Sequence, residues 1–450
     1  MRAALREALI SLREFLLTFA PFVLLAAGLV YVAYVLLDPT PPKRLTLATG
    51  QPQGAYAEFG SRYAQILKKN GVEVRLRPTA GAAENLALLR EPGGEVDVAF
   101  VQGGADPTLA RGDPDAEAPD DLVSLGSLFH EPVWIFYRAD SAARLAKAPA
   151  IDAFGQLAGW RVNVGAPGSG VPNLVARLLE ANALEPAQLT LLHETQTPAV
   201  VELLEGRSDA VVFASAPESL IVQMLLRTPG IRLFDFAQAE AYTRRLPFLD
   251  AVTLPRGVVD LAKDLPPADV HLVAPTATLL ARKGTHPALE QLLVQAAAEV
   301  HGNAGWFQKK GDFPNARNPE RPLSPEAKRF YDQGPPVLQR YMTFWAANVV
   351  DRMWPAILTI VAMLLPLSRI LPPLYDFRMR SRVFRWYRQL RAFETAIGKR
   401  SNAELLAELE ELEKRVAQVT VPLSYADELY ALRQNIRMVA ERLIEPVPAR

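Results

Sequence analysis

The sequence predicts a two-lobed α/β domain carried between two transmembrane helices and followed by a C-terminal helical hairpin. Three observations carry that expectation. Two runs carry no charge: 15–37, preceded by Arg2, Arg6 and Arg13, and about 353–368, bounded by Arg352 and Arg369. Between them, short apolar strands alternate with amphipathic helices in a pattern that occurs twice, which predicts mostly parallel sheets in two units. Near the end, leucine, isoleucine and valine recur at helical spacing in two neighbouring seams within 401–450.

Composition narrows the function classes. Lys plus Arg and Asp plus Glu number 49 each, so the net charge is zero and nothing global points to nucleic acid. Cysteine is absent, which excludes disulfides, thiolate metal sites and a cysteine nucleophile.

Taken in order, residues 1–14 carry Arg2, Arg6 and Arg13 and read as a basic cytoplasmic N-terminus. Residues 15–37 hold no charge and exceed the ~20 helical residues that cross a bilayer; no A-x-A cleavage site follows, so an uncleaved anchor is expected. Residues 38–43 form a proline-rich linker, and 44–312 hold the strand–helix alternation: "RLTLAT", "VEVRLRPT" and "VDVAFVQ" in the first unit, "WRVNVG", "LTLLHE" and "SDAVVFAS" in the second. Residues 313–345, with Pro314, Pro319, Pro322, Pro325, Pro335 and Pro336, read as a return strut. A second span is expected over 350–371, although Pro355 and Pro366 leave a buried soluble helix as an alternative. Arg378, Arg380, Arg382, Arg385, Arg388 and Arg391 follow against a single acid, Asp376, so this end is cytoplasmic as well. Residues 372–400 form a basic amphipathic segment whose Phe384, Trp386, Tyr387 and Leu390 suit the membrane interface. In 401–450, Leu405, Leu409, Leu412, Val416 and Val419, then Leu429, Leu432, Ile436, Val439 and Leu443, give the hairpin. Its start signals are at Ser401 and Ser424, its turn is at Pro422, and its seams could also pair two chains as a homodimer.

Glycine loops mark the candidate site. "VGAPGSGVPNLVARLLE" places Gly165 and Gly170 at P-loop spacing, but Val171 and Pro172 stand where a P-loop needs Lys and then Ser or Thr, so a nucleotide enzyme is not indicated. What remains is a strand, a glycine turn and a helix N-terminus, which suits an anion. Gly50 and Gly54 form the equivalent turn in the first unit, and two such turns facing each other would clamp a small anionic solute.

Catalysis finds little support. None of the five histidines lies in an H-E-x-x-H motif, and "ASAPES" around Ser215 lacks the glycines of a nucleophile elbow. His130 and Glu131 could act as acid and base, but neighbours on a strand point to opposite faces. No catalytic residue, metal or cofactor is expected.

The segments "LATGQPQGAYAEFGSRYAQIL", "PTAGAAENLALLREPGGEVDVAFVQ", "VGAPGSGVPNLVARLLE" and "SDAVVFASAPESLIVQML", in this order, resemble the TAXI family, the solute receptors associated with TRAP-type transporters. The resemblance covers about 44–302, and "LSPEAKRFYDQGPPVLQRYMTFW" is similar to the membrane-anchored branch. It implies a periplasmic-binding-protein-like (type II) domain outside the bacterial inner membrane, both termini being cytoplasmic. Lobe 1 would span about 44–131 plus 254–312 and lobe 2 about 132–253, with crossings near 131–138 and 248–253. The implied ligand is a small carboxylate-bearing molecule, an organic acid or amino acid, and the implied partner a multi-span TRAP-type permease. The implied contacts are Gly54, Ala55, Tyr56, Ala80, Asn85 and Gln102 from the first lobe and Ser169, Gly170, Val171, Phe213, Ala214 and Ser215 from the second. Free N–H groups at the two turns and the Ser169 hydroxyl would hold the carboxylate. Gln51, Pro52, Gln53 and Val171 depart from the small hydroxyl residues of the family and point to a different ligand or weaker binding. The cytoplasmic hairpin suggests an alternative, a sensor or scaffold that relays lobe closure across the membrane.

Overall fold

The computed structural model describes residues 2–52, 54–106, 121–317, 320–419 and 425–444. The chain divides into two compact units: Thr40–Asn348, and Met1–Pro39 with Val349–Arg450.

The first unit is built on two sheets. In chain order its elements begin β1 (Arg44–Ala48), α2 (Ala55–Lys69; α1 belongs to the other unit), β2 (Glu73–Arg77), α3 (Ala82–Arg90), β3 (Val98–Gln102), β4 (Leu122–His130) and β5 (Val133–Arg138). They continue with β6 (Arg161–Asn163), α4 (Val171–Ala181), β7 (Thr190–Leu192), α5 (Gln196–Leu204), β8 (Ala210–Ala214), α6 (Leu220–Leu225), β9 (Ile231–Leu233), α7 (Ala239–Arg245), β10 (Leu249–Leu254), β11 (Val270–Arg282), α8 (Pro287–His301) and α9 (Pro325–Gln333). One sheet runs β10-β11-β3-β1-β2 with β4 also on β11; the other runs β7-β6-β8-β5-β9. The pairs β1–β2, β1–β3, β6–β7 and β6–β8 are parallel, as the alternation requires, whereas β5 and β11 run antiparallel to their partners. β3 is buried along its whole length, so its run Val-Ala-Phe-Val-Gln shows no alternation.

Each sheet has its own core. Leu47, Tyr63, Phe100 and Leu293 fill lobe 1; Trp134, Phe136, Trp160 and Leu178 fill lobe 2. Fully burying each such side chain stabilises by ~1.5–3 kcal/mol. The chain crosses between the cores at Glu131–Pro132, and again inside β11, where Leu272, Val273 and Ala274 belong to lobe 2 and Ala277 and Leu279 to lobe 1. The Glu131 amide donates to the Pro275 carbonyl at 2.8 Å, so the two crossings are bonded to each other. The second crossing therefore lies within β11 and not near 248–253; one long strand serves both lobes, and 254–274 pack with lobe 2.

The proline-rich return segment is not a free strut. Asn315 and Leu323 bridge to Ser127 and Ser124 of β4, Ser324 caps α9, and Pro325 opens that helix, where a missing N–H costs nothing. Arg321 and Asp106, each 1% exposed, pair at 2.8 Å. Phe344 joins the core of lobe 1, and the Trp345 indole donates to the Asn70 carbonyl at 2.8 Å.

The second unit contains α1 (Arg2–Leu37), most of α10 (Phe344–Ser368), α11 (Leu371–Ala396), α12 (Asn402–Ala417) and α13 (Ala426–Ile444). Phe19–Leu37 and Phe344–Ser368 are long and apolar enough to cross a membrane, with mean hydropathy 2.3 and 1.5. Pro355 and Pro366 lie inside α10 without ending it. The Arg352 guanidinium donates to the carbonyls of Leu37 and Asp38, a cation at the C-terminus of α1 where the helix dipole favours one.

The hairpin seams meet a third helix. Leu405, Leu409, Leu412 and Val416 of α12 and Leu432, Ile436, Val439 and Leu443 of α13 share one core with Val383 and Leu390 of α11. Trp386 and Tyr387, expected at a membrane interface, pack against this core; Phe384 is exposed. Because both seams are covered within one chain, the expected homodimer loses the surface it was read from. Pro422 and Ser424 lie outside the described residues.

Candidate functional site

The facing ends of the two sheets enclose a cleft with a cavity of about 70 Å³, room for roughly five waters. Every wall comes from the carboxyl end of a strand or the helix that follows it, the usual place for a ligand in open α/β sheets. Gly50, Gln51, Gly54, Ala55 and Tyr56 join β1 to α2; Ala80, Gly81 and Ala82 open α3; Gln102 ends β3. From lobe 2, Gly165, Ala166, Ser169 and Val171 span the β6–α4 turn, and Val212 to Ser215 end β8.

Glycine lets the lobes touch. A Cβ on Gly81, whose φ is +140°, would lie 2.9 Å from the Ser169 Cα, and one on Gly170, φ +86°, would lie 2.9 Å from the Gln102 Oε1. The amides of Ala83 and Glu84, at the first turn of α3 in lobe 1, both donate to the Gly168 carbonyl of lobe 2 at 3.1 Å. One helix terminus is thereby satisfied by the opposite lobe, a partner that exists only while the cleft is shut.

Ten of the twelve expected contact residues line this cavity: Gly54, Ala55, Tyr56, Ala80, Gln102, Ser169, Val171, Phe213, Ala214 and Ser215. Gly170 does not, because it faces Gln102 and Ala82 across the lobe contact. Asn85 does not either. It is fully buried, donates to the carbonyls of Thr49 and Phe100 and accepts from the Thr79 hydroxyl at 2.6 Å, so it ties β1 and β3 to the loop before α3.

Among the described residues, two polar groups on the wall have no partner: the Gln102 Nε2 and the Ser169 Oγ, both buried. A buried donor left unpaired costs ~1–3 kcal/mol, which a ligand acceptor would recover. Tyr56 stacks on Phe100 at 5.2 Å between ring centres and donates its hydroxyl to Glu131 Oε2 at 2.9 Å.

Glu131 is the residue that sequence reasoning missed, together with Glu194 and Gln196 on the lobe 2 rim and Gly81. It is 3% exposed, at the first crossing. Burial pushes its carboxyl up to about 8, with the Tyr56 hydrogen bond pulling the other way. Burial, and then the charge of Glu131, raise Tyr56 well above its usual value. The available signal was an acid inside "SLFHEPVWIFY", an otherwise apolar strand pair. His130, next to it, faces a separate cavity with Asp250 and Asp312, and burial lowers its pKa. Among the described residues the cleft is lined by no lysine, arginine or histidine, and no three acidic or histidine side chains cluster as metal ligands would.

A model of the NMT1-like family matches residues 47–331 of this chain, which takes in nearly all of both sheets and the first part of the return segment. No curated protein sequence matches it significantly. Among solved structures, it is similar to the periplasmic aliphatic sulphonate binding protein SsuA from Escherichia coli, at 16% identity over 76% of this chain and 93% of that one, with a TM-score of 0.36. It is also similar to MatC from Rhodopseudomonas palustris with bound malate, at 15% identity over 71% of this chain and 99% of that one, with a TM-score of 0.37. A third is the alkanesulfonate-binding protein SsuA from Xanthomonas axonopodis pv. citri bound to MOPS, at 14% identity over 72% and 84%, with a TM-score of 0.36.

Proposed function

The chain belongs to the NMT1-like family, and from that premise we propose that it is a membrane-anchored solute receptor. It captures a small organic acid or amino acid outside the inner membrane and presents it to a multi-span permease of the TRAP type, as its resemblance to the TAXI receptors implies. The observation that carries this reading is the shut cleft: two lobes bonded to each other through glycine turns around a small cavity with unpaired Gln102 and Ser169 donors. The helix N-termini of α2 and α4 border the same cavity and favour negative charge there. Arginine-flanked apolar helices on either side of the lobes support an anchor with both termini in the cytoplasm.

The test is a melting screen of the full chain in mild detergent against dicarboxylates, 2-oxo acids and amino acids. A ligand at a hundredfold its Kd adds about 2.7 kcal/mol to the folded state, a visible rise in Tm. A silent screen across all three classes removes the receptor reading. The shared core of α11, α12 and α13 favours a second reading, a sensor that responds to the same ligand. Deleting 401–450 leaves ligand uptake unchanged under the first reading and abolishes the cellular response under the second.

A further inference from the structure

The cleft floor carries a feature that capture of a plain carboxylate does not use. Glu131 sits nine-tenths buried between the lobes, and Tyr56 occupies one of its oxygens. No other hydrogen bond to this carboxyl is formed among the described residues. Besides Tyr56, the other titratable wall residue is Glu194, a second acid, and among the described residues no cationic side chain lines the cleft. With no base on the wall, no side chain pairs the charge of a ligand that is only negative, whereas Glu131 gains a partner when it ionises beside a cation. The site suits a ligand that brings its own cation. Elsewhere on the lining, the N-termini of α2 and α4 and the Gln102 and Ser169 groups, unpartnered among the described residues, remain available for a carboxylate.

We propose that Glu131 is the specificity-determining residue of this cleft and takes the ammonium group of a zwitterionic amino acid, so that the receptor rejects the matching 2-oxo and 2-hydroxy acids. This rests on the receptor reading above and divides the two ligand classes which that reading leaves together. The Tyr56 hydroxyl orients the carboxylate, which accepts from the ligand N–H. A site built to hydrogen-bond one substrate group rejects an analogue lacking it far more strongly than an apolar pocket rejects a missing methylene, because its own buried group is then left unpaired.

Proton balance gives the proposal a signature. The free carboxyl, pushed up by burial to about 8, holds a proton at neutral pH. The ammonium binds the ionised form, so that proton leaves for solvent on binding. The ionised fraction rises from roughly 1% at pH 6 to about half at pH 8, and the amino-acid affinity rises roughly fiftyfold over that range.

The experiment uses the full chain in detergent and three matched trios: alanine, pyruvate and lactate; aspartate, oxaloacetate and malate; glutamate, 2-oxoglutarate and 2-hydroxyglutarate. Calorimetry in two buffers of different ionisation enthalpy reads affinity and protons released. The expected result is binding of the amino acid of at least one trio, at least a hundredfold tighter than its oxo and hydroxy partners, with release of close to one proton at pH 7. Glu131→Gln then loses at least thirtyfold for the amino acid. Binding of an oxo or hydroxy acid as tightly as its amino acid, or binding without proton release, overturns the proposal and leaves the receptor intact. Silence from all nine compounds overturns both. The proton count is measured on the unaltered chain, so it stands even if the variant does not fold.

Discussion

Replacing Glu131 with Gln changes how the stability of this protein depends on pH, in a direction the structure fixes. The unfolded carboxyl titrates near 4.5, and the folded one is pushed up to about 8 by burial. Below 4.5 both states hold the proton; above 8 neither does. Between those values the folded chain keeps a proton that the unfolded chain has released, so stability falls as pH rises through that window. At about 1.36 kcal/mol per pH unit, the loss across the window is at most about 5 kcal/mol, and cavity water beside the carboxyl reduces it. That is a large share of the ~5–15 kcal/mol typical of a folded domain. Glutamine keeps an acceptor for the Tyr56 hydroxyl and does not titrate. Urea denaturation of the whole chain in detergent, followed by tryptophan fluorescence from pH 4 to 9, measures the difference between the two proteins. The variant gains on the unaltered chain steadily from pH 5 to 8 and by a constant amount above that. Parallel profiles would refute the buried, protonated carboxyl.

Other perturbations separate closure, folding and the tail. Gly81→Ala places a Cβ 2.9 Å from the Ser169 Cα at a φ of +140°; it weakens ligand binding by tenfold or more while circular dichroism keeps the folded spectrum. Asn85→Ala takes one donor from the Phe100 carbonyl and leaves the Thr49 carbonyl with the Thr79 hydroxyl, and it destabilises by ~1–3 kcal/mol with or without ligand, as denaturation reads directly. Arg321→Ala leaves Asp106 buried with one partner fewer and costs ~3–5 kcal/mol, which makes the return segment part of the fold of lobe 1. Ile436→Ala opens a cavity in the three-helix core and costs that core ~2–5 kcal/mol, read as faster proteolysis of the tail with ligand binding unchanged.

Much of this was legible because backbone rules act locally. Strand–helix alternation marked the parallel pairs, but β5 and β11 make both sheets mixed where mostly parallel ones were expected; the glycines at 54, 165 and 170 marked the turns because those turns need free amides or positive φ. The errors share a cause: one pattern with two physical origins. Prolines in 313–345 suggested a strut, yet Pro325 is the first residue of a capped helix, where proline is equally at home. Trp386 and Tyr387 sit at a helical spacing that suits lipid or a neighbouring helix alike, and the neighbouring helices took them. The second crossing was misplaced because β11 runs through both lobes as one 13-residue strand, and its one compositional mark, Pro275 between Ala274 of the lobe 2 core and Ala277 of the lobe 1 core, was not used. Glu131 was weighed with His130 as an acid–base pair and not as a cleft contact, because burial, not sequence spacing, gives it its character.

The central claim is that the lobes close over a small solute, and the absence of cysteine makes it directly measurable. Spin labels on the full chain at Glu91→Cys in lobe 1 and Glu180→Cys in lobe 2, both exposed positions, report the lobe-to-lobe distance by pulsed electron resonance. With a pool of amino acids and organic acids the distribution narrows and shifts to the short end, and in a Gly81→Ala background it stays broad. A distribution that no pool alters would contradict the account.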